Sequence, residues 1–410
     1  MRGASSAQVL VLLDGVEISA VSNGSAQLAQ IMASQIDRIE IVRGNVSALY
    51  GSSAVGGVIR IFTQPNNMTG GAEAAPSRVR ISSHYGASQT RGVQASYEGN
   101  IDQSTRFHFN IDRKLSDSFP SLNAKQAPNA NQSDHGYQNT SFSGQIQHAF
   151  SSDWSGGVRL FQSEAVTHFS NKWGMPTDIN YALSILRNMA AFANGQVGER
   201  WRVKLKLARS EDINDSYTAT AVSLPTLSSF ETVNDKFIFE NSIQWLGTSS
   251  HTQTTLFGYE YLWQGLHSNS YGAPSRRVDA VFLGQQMSMD RHQIQINMRH
   301  DRYSDFGHAN NYFVGYAYSL TPALKSYLNF SNAFRAPTFN DLYFPGNSNV
   351  HLQPERARSI EGGVRYNQAD STVQLALFKT VYHDLIHHVF IDPVSHSSIP
   401  FNTQRAKVEG

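Results

Sequence analysis

Residues 38–63 read RIEIVRGNVSALYGSSAVGGVIRIFT, and the fold turns on how this stretch is parsed. Ile39 and Ile41 alternate with Arg38, Glu40 and Arg43, the period of a strand with one buried face. Gly44 ends that strand. Val46 to Tyr50 is too short for an independent helix but fits one turn capped by Asn45. Gly51, Gly56 and Gly57 then permit tight turns before Val58 to Phe62 resumes as a strand. The expected unit is strand, short helix, glycine loop, strand. A phosphate cradle is the competing reading, and it needs Gly-x-x-x-x-Gly-Lys-Ser/Thr. Gly51 and Gly56 have that spacing, but Gly57 and Val58 occupy the Lys and hydroxyl positions, so no side chain neutralises phosphate or holds magnesium.

The chain of 410 residues is long enough for two domains, or for one domain and a large barrel. Its formal charge of +1 gives no argument for nucleic acid as a partner. The longest apolar run, Val9 to Leu13, is far short of the roughly 20 residues of a membrane-spanning helix. A chain like this crosses a bilayer only as a closed β-barrel, the one alternative that pairs every backbone group in lipid. Charged residues at 16% and aromatics at 11% agree with strands that show lipid an apolar face and a lumen an uncharged polar one. Absence of cysteine excludes a disulfide framework and Cys-based zinc or redox sites. No basic and apolar leader opens the chain, although an exported barrel needs one, so the sequence reads as a piece that begins inside a domain.

Around the opening stretch, Val9 to Leu13 reads as a strand buried on both sides, turned by Asp14-Gly15 into Val16 to Ile18. Ser19 to Ser25 is small and polar, a surface loop, and Gln27 to Ser34 a short helix or turn. Gln64 to Ser77 has no apolar period and reads as a linker. From Arg78 onward the period is two. Phe107, Phe109 and Ile111 oppose His108, Asn110 and Asp112; Trp201, Val203, Leu205 and Leu207 oppose Arg202, Lys204 and Lys206. Segments of about 9 to 13 residues suit tilted membrane strands. Tight links at Ser151 to Asp153, Gly198-Glu199, Gly247 to Ser250 and Thr321-Pro322 alternate with long polar ones at Ser116 to Tyr137, His168 to Ala182, Glu211 to Asp235, His267 to Arg277 and Ala336 to Glu355. Short turns on one rim and long loops on the other are the outer-membrane pattern, with about 16 strands by this alternation.

Residues 38–63 resemble the end of the plug domain of TonB-dependent outer-membrane receptors, with Asn45 where that family usually has Pro and Arg60 where it often has Asn. A second stretch, Asn332 to Gly346 followed by Leu352 to Glu355 and Ser359 to Gly363, resembles the F-R-A-P…L-Y…P-E…E-x-G box of the same receptors. The resemblance implies an all-β transmembrane barrel of the 22-strand type around an α+β plug. Residues 1–64 are then the later part of the plug, 65–77 a linker and 78–410 an incomplete barrel. The last strands are expected to be missing, as are the first half of the plug and the peptide that meets the TonB-type energising protein. As written, the chain is not expected to close a barrel. It also implies a receptor in the outer membrane of a Gram-negative bacterium that transports actively and performs no covalent chemistry.

The match is closest to vitamin B12 receptors, through the plug loop and the Asp341 to Gly346 segment, which makes cobalamin, a corrinoid, the expected ligand. Haem and ferric siderophores are the alternatives, and a passive porin or adhesion barrel is the reading from another class. Between Pro337 and Asn347 there is no histidine of the kind haem receptors place there; His351 falls in the second box. By this resemblance ligand meets the plug apex at Ser19, Ser22, Asn23, Ser25, Ser52 and Ser53, and a barrel loop at Asn340, Tyr343 and Phe344. Arg38, Glu40 and Arg43 are expected at the inner barrel wall, with Arg43 paired to Glu361. No nucleophile elbow or His-Glu-x-x-His occurs. His383, His387 and His388 are read as polar side chains near a strand end, and no metal is assigned. Calcium in the loops would fall to Glu211, Asp212 and Asp215, which lack the regular ligand spacing.

Overall fold

The computed structural model describes residues 1–63, 77–120, 122–133, 135–172, 174–220, 223–248, 251–392 and 397–410. The linker expected at 65–77 therefore lies outside the described residues but for Ser77. Four short strands, Val9–Leu13 (β1), Val16–Glu17 (β2), Arg38–Arg43 (β3) and Gly57–Phe62 (β4), form one sheet in the order β2-β1-β4-β3. β1 runs parallel to β4, and the other pairs are antiparallel. A one-turn helix, Ser47–Tyr50 (α1), links β3 to β4.

β1 is buried throughout, as its unbroken apolar run requires. Leu10 and Leu12 pack with Val46, Ala54 and Val58 beside α1. On the other face Val11 and Leu13 join Ile61 and reach Phe161 and Leu186 of the surrounding wall. Asp14 and Gly15 both take left-handed backbone, φ 49° and 79°, the geometry of a two-residue Asp-Gly hairpin. The Asp14 carboxylate accepts from the Thr63 N–H at 2.9 Å and hydroxyl at 2.7 Å, tying the end of β4 to that turn. Burial pushes the carboxyl above its ordinary pKa, against the opposing pull of the Thr63 bonds and of Arg159.

Two local expectations are corrected. The helix starts one residue later than Asn45 capping implies: Val46 holds the cap position without a side-chain bond, and the Nδ2 of the buried Asn45 has no partner among the described residues. In β3, Ile39 and Ile41 are about half exposed, while Arg38, Glu40 and Val42 are partly buried. β3 is the sheet's edge, so its apolar face continues that of Ile59 and Ile61 past the point where the wall covers it. On the opposite face the Arg38 and Arg60 guanidiniums stack over the Phe62 ring at 3.7 and 5.0 Å.

The rest of the chain is a sheet of 16 strands, each paired antiparallel with its sequence neighbours. They are Arg78–Tyr85 (β5), Arg91–Asn100 (β6), Thr105–Ser116 (β7), Tyr137–Ala149 (β8), Trp154–Phe169 (β9), Ile179–Val197 (β10), Trp201–Thr220 (β11) and Ser223–Gly247 (β12). Then follow His251–Ser268 (β13), Ser275–Met289 (β14), His292–Tyr303 (β15), Gly307–Ser319 (β16), Leu324–Arg335 (β17), Glu355–Gln368 (β18), Ser371–Asp392 (β19) and Ser397–Glu409 (β20). Among the described residues β5 and β20 are not paired with each other, so the sheet has two open edges.

On one rim every connection is two to four residues long, whereas the other rim carries the long segments 117–136 and 336–354 together with short turns such as 304–306 between β15 and β16. The expected loop at Glu211 to Asp235 is instead strand: β11 and β12 stay paired from Glu211↔Val233 to Thr218↔Thr226. Cross-strand packing sustains the extension, with Tyr181 of β10 stacked on Tyr217 at 4.8 Å. Several strands are accordingly longer than expected, up to 25 residues in β12.

Alternation sorts the faces. His108, Asn110 and Asp112 are buried toward the plug, and the Ser34 hydroxyl donates to Asp112. Leu207, Leu283, Met298, Leu328, Ile360 and Leu377 point outward and are exposed, forming an apolar belt. Trp154, Trp201 and Trp245 sit beside the short turns on that outer face, where interfacial aromatics belong.

Apolar clusters such as Val16 with Ala190 and Ala208, and Val55 with Ala333, Ala357 and Tyr382, join plug to wall, and polar contacts add to them. Asn188 donates to the Leu13 carbonyl at 3.1 Å, Arg159 to Asp14 at 3.2 Å and Lys206 to Gly15 at 3.1 Å. Ser210 donates to the Glu17 carbonyl at 2.7 Å and Asn234 to Ser19 at 3.4 Å. Wall side chains thus serve β2 and its turns as a neighbouring strand would.

Candidate ligand site at the plug apex

β17 ends in Phe334-Arg335, and the chain then dips into the lumen through Ala336-Pro337. Thr338 stops the dip by capping a short helix, Phe339–Tyr343 (α2). Its hydroxyl accepts from the Asp341 N–H at 3.1 Å while the Asp341 carboxylate accepts from the Thr338 N–H at 2.9 Å, a reciprocal capping box. α2 is therefore fixed by its own first turn.

That helix is fastened to the plug. The Phe339 and Asn340 amides donate to the Val21 and Ser22 carbonyls at 3.0 and 2.9 Å. Phe339 is fully buried against Val21 and Leu266, and the Arg276 guanidinium lies 5.1 Å from its ring centre. Beside it, the Ser53 amide donates to the Phe334 carbonyl at 3.1 Å, and the Ala336 amide to the Ser52 hydroxyl at 3.1 Å. Tyr271 donates to the Asn340 side-chain carbonyl at 2.5 Å, and burial raises the pKa of its phenol, which keeps it a donor. Phe344 stacks on Phe230 and meets Tyr271 edge-on.

The two sequence boxes meet beneath the helix. Arg335 and Glu355, directly opposite in register, form a two-pronged ion pair at 2.8 and 2.9 Å. The same carboxylate accepts from Gln8 of the plug at 2.8 Å and from the Ile386 amide at 2.9 Å. Asp341 lies 3.4 Å from the other side of the Arg335 guanidinium.

Above this pair opens a cavity of about 450 Å³. The plug supplies Asn23 and Ala7; the β17–β18 segment supplies Arg335, Thr338, Asn340, Asp341, Phe344 and Asn347; Ile386, His388 and Ser398 close the far side. Of the expected ligand residues, Asn23, Asn340 and Phe344 come together here. Tyr343 is exposed outside the lining. Ser19 to Ser22 are buried rather than a surface loop: Ser22 lies under α2, and the buried Ser19 hydroxyl has no partner among the described residues. Ser25 bonds Ser6 at 2.9 Å. Ser19, Ser52 and Ser53 line only a deeper void of about 50 Å³. Arg335, Thr338, Asp341, Asn347 and His388 were not among the expected ligand residues, although Arg335, Thr338 and Asp341 lie inside the second box and Asn347 directly follows its first part.

The expected plug–barrel pairs are redrawn. Glu361 is engaged by Arg2 at 2.6 Å and by the Tyr327 hydroxyl at 3.0 Å, not by Arg43, which is exposed. Glu40 pairs with Arg38 at 3.0 Å and Arg60 at 2.8 Å, so both of its ion pairs lie inside the plug. Glu211 and Asp212 are neighbours on β11 and point to opposite faces, Glu211 to Arg187 and Asp212 to Gln27, so the three acids considered for calcium do not converge.

A small mixed sheet stoppering a meander of long strands, apolar outside and polar within, with a cavity where stopper and long loops meet, defines a plugged barrel of the outer-membrane receptor class. The chain belongs to the TonB-dependent receptor family: the family's receptor-like β-barrel matches residues 77–410 and its plug domain residues 1–58. It is 27% identical to the vitamin B12 transporter BtuB of Vibrio vulnificus, over 100% of this chain and 64% of that protein. It is 24% identical to BtuB of Photobacterium profundum, over 100% of this chain and 65% of that protein. The chain thus spans just under two thirds of the length of these curated relatives. Among solved structures it resembles the siderophore receptor PirA of Acinetobacter baumannii, with TM-score 0.77, 16% identity, and coverage of 100% of this chain and 70% of that one. It also resembles the Serratia marcescens hemophore receptor HasR, with TM-score 0.80, 13% identity and coverage of 99% and 71%.

Proposed function

We propose that the protein works as an active importer in the outer membrane of a Gram-negative bacterium, binding a corrinoid such as cobalamin at the plug apex and admitting it when a TonB-type protein pulls on the plug. The observation that carries the ligand assignment is the charge balance of the cavity. Among the described residues its one guanidinium, Arg335, is matched by Glu355 and Asp341. The remaining polar lining is dominated by neutral groups: the amides of Asn23, Asn340 and Asn347 and the Thr338 hydroxyl, beside the Phe344 ring. A corrin ring edged with carboxamides finds complementary donors and acceptors there. Among the described residues a polyanionic ferric catecholate finds no free cation there and loses its hydration uncompensated. Identity to two vitamin B12 transporters over the whole chain supports the same choice.

The outward apolar belt and the tryptophans beside the short turns support residence in a bilayer, and the folded plug argues against a passive pore. The test is equilibrium titration of the purified full-length protein in detergent with cyanocobalamin, haemin and a ferric catecholate. Saturable cyanocobalamin binding, weakened at least tenfold by Asn340→Ala, is expected. Absence of cyanocobalamin binding at micromolar ligand ends this assignment, and haemin binding lost in His388→Ala would replace it with haem.

A further inference from the structure

A second chamber, of about 480 Å³, lies between the plug sheet and the wall from β9 to β15. Its wall residues, among them Asn194, Lys204, Glu240 and Asn297, belong to the short-turn halves of their strands, so it sits below the apex cavity. Lys204 is well exposed and marks the side open to water. Five cations line the chamber: Arg60 from the plug, and Arg159, Lys204, Lys206 and Lys236 from the wall. Three carboxylates accompany them, Asp14, Glu240 and Glu260.

Pairing removes most of that charge. Lys204 pairs with Glu240 at 2.8 Å, Lys236 with Glu260 at 2.7 Å and Arg60 with Glu40 at 2.8 Å. Asp14 spends both carboxylate oxygens on Thr63. Lys206 and Arg159 remain, and among the described residues neither forms an ion pair. Arg159 donates to Gln145 and to the Asp14 carbonyl, and the Lys206 ammonium donates to the Gly15 carbonyl. The approach at Gly15 is tight, since a side chain there would put its first carbon 2.8 Å from Nζ. Two full charges thus meet the carbonyls of a single plug turn, with Gln145 and the Phe192 ring as the other neighbours of Arg159 and the Asp14 carboxylate beyond ion-pair distance of both.

We propose that this chamber is a transit site for a phosphate group of the cargo, and that Lys206 and Arg159 exchange the Gly15 and Asp14 carbonyls for that anion as it passes. The carbonyls offer the two cations hydrogen bonds but no opposite charge, whereas a phosphate oxygen offers both at once, so an entering phosphate outcompetes the carbonyls. The exchange frees the β1–β2 turn of two of its wall contacts, leaving Asn188 and Ser210 to hold it. Cargo below the apex therefore loosens the plug that stands in its way. The cargo side of this inference rests on the importer reading, in which a corrinoid supplies one phosphodiester; anion binding by the chamber does not.

The test is hydrogen exchange of peptides covering residues 9–18 in the full-length protein in detergent, titrated with inorganic phosphate against chloride of equal ionic strength. Wild type is expected to exchange severalfold faster in this hairpin with phosphate, saturably, and not with chloride. Lys206→Gln and Arg159→Gln are expected to exchange faster from the outset and to ignore phosphate, while Lys204→Gln, whose partner is Glu240, retains the response. Phosphate that leaves the wild-type hairpin unchanged or protects it, or a full response in Lys206→Gln, overturns the proposal. A phosphate response in a protein that fails to bind cyanocobalamin sustains the chamber and refutes only the corrinoid.

Discussion

Replacing Glu355 tests whether the two sequence boxes are joined by the buried ion pair seen beneath α2. Its carboxylate accepts four bonds, two from Arg335 and one each from Gln8 and the Ile386 amide, and both Arg335 and Glu355 are buried. Removing one member of such a pair leaves the other charge without its partner, at a cost of about 3–5 kcal/mol. Asp341 stays 3.4 Å from the stranded guanidinium, which places Glu355→Gln at the lower end, about 3 kcal/mol. The double replacement Arg335→Met with Glu355→Leu removes both charges. It should recover all but ~1–2 kcal/mol, the remainder being the Gln8 and Ile386 donors left without an acceptor and Asp341 left without its guanidinium. Urea unfolding in detergent, followed by circular dichroism, reads both variants, and Arg335→Met and Glu355→Leu made singly complete a double-mutant cycle. A single replacement costing under ~1 kcal/mol, or simple additivity across the cycle, would refute the reasoning.

Two other perturbations follow from the same contacts. Arg2→Ala should loosen the plug by about 1–2 kcal/mol by unpairing the partly buried Glu361, whereas Arg43→Ala should stay within ~0.5 kcal/mol; hydrogen exchange of the plug in the two variants decides. Burial raises the Glu17 carboxyl pKa, with Lys236 opposing and Glu260 reinforcing the shift, so the folded plug holds that proton more tightly than the unfolded chain does. Its contribution is full below the ordinary carboxylate range and is lost as pH rises through the raised value, with a slope of at most about 1.4 kcal/mol per pH unit. The urea midpoint of plug unfolding should therefore fall with rising pH in that window and flatten in Glu17→Gln; an unchanged slope in the variant would count against the assignment.

What could be read in the sequence was what local chemistry decides. Asp14-Gly15 needs left-handed backbone, so the first hairpin was legible, and the β3-α1-β4 unit followed from its glycines. Period-two alternation in β7 and β11 sorted lumen from lipid because the sheet has only two faces. The same logic failed at Ile39 and Ile41, where burial depends on whether a wall stands opposite the edge of the sheet. Ser, Thr and Asn between Glu211 and Asp235 read as loop, but the strands on either side were long enough to pair with them. Arg43 and Arg2 compete for Glu361, and only the docked pose decides between them. At the apex, Asn23, Asn340 and Phe344 were anticipated from resemblance. The serines beside them turned out to supply main-chain and structural bonds, because α2 folds down over their loop.

The central claim is that the plug apex and α2 form one site whose halves must part for cargo to pass. This chain has no cysteine, so Ser52→Cys in the plug with Ala336→Cys in the segment leading into α2, joined by a 3.1 Å hydrogen bond and outside the cavity lining, can be cross-linked once any cysteine in the rest of the full-length protein is replaced. Uptake of labelled cyanocobalamin by cells carrying the full-length double variant should be blocked under oxidation while surface binding persists, and should return on reduction. Wild-type uptake through the oxidised, fully cross-linked protein would contradict the claim.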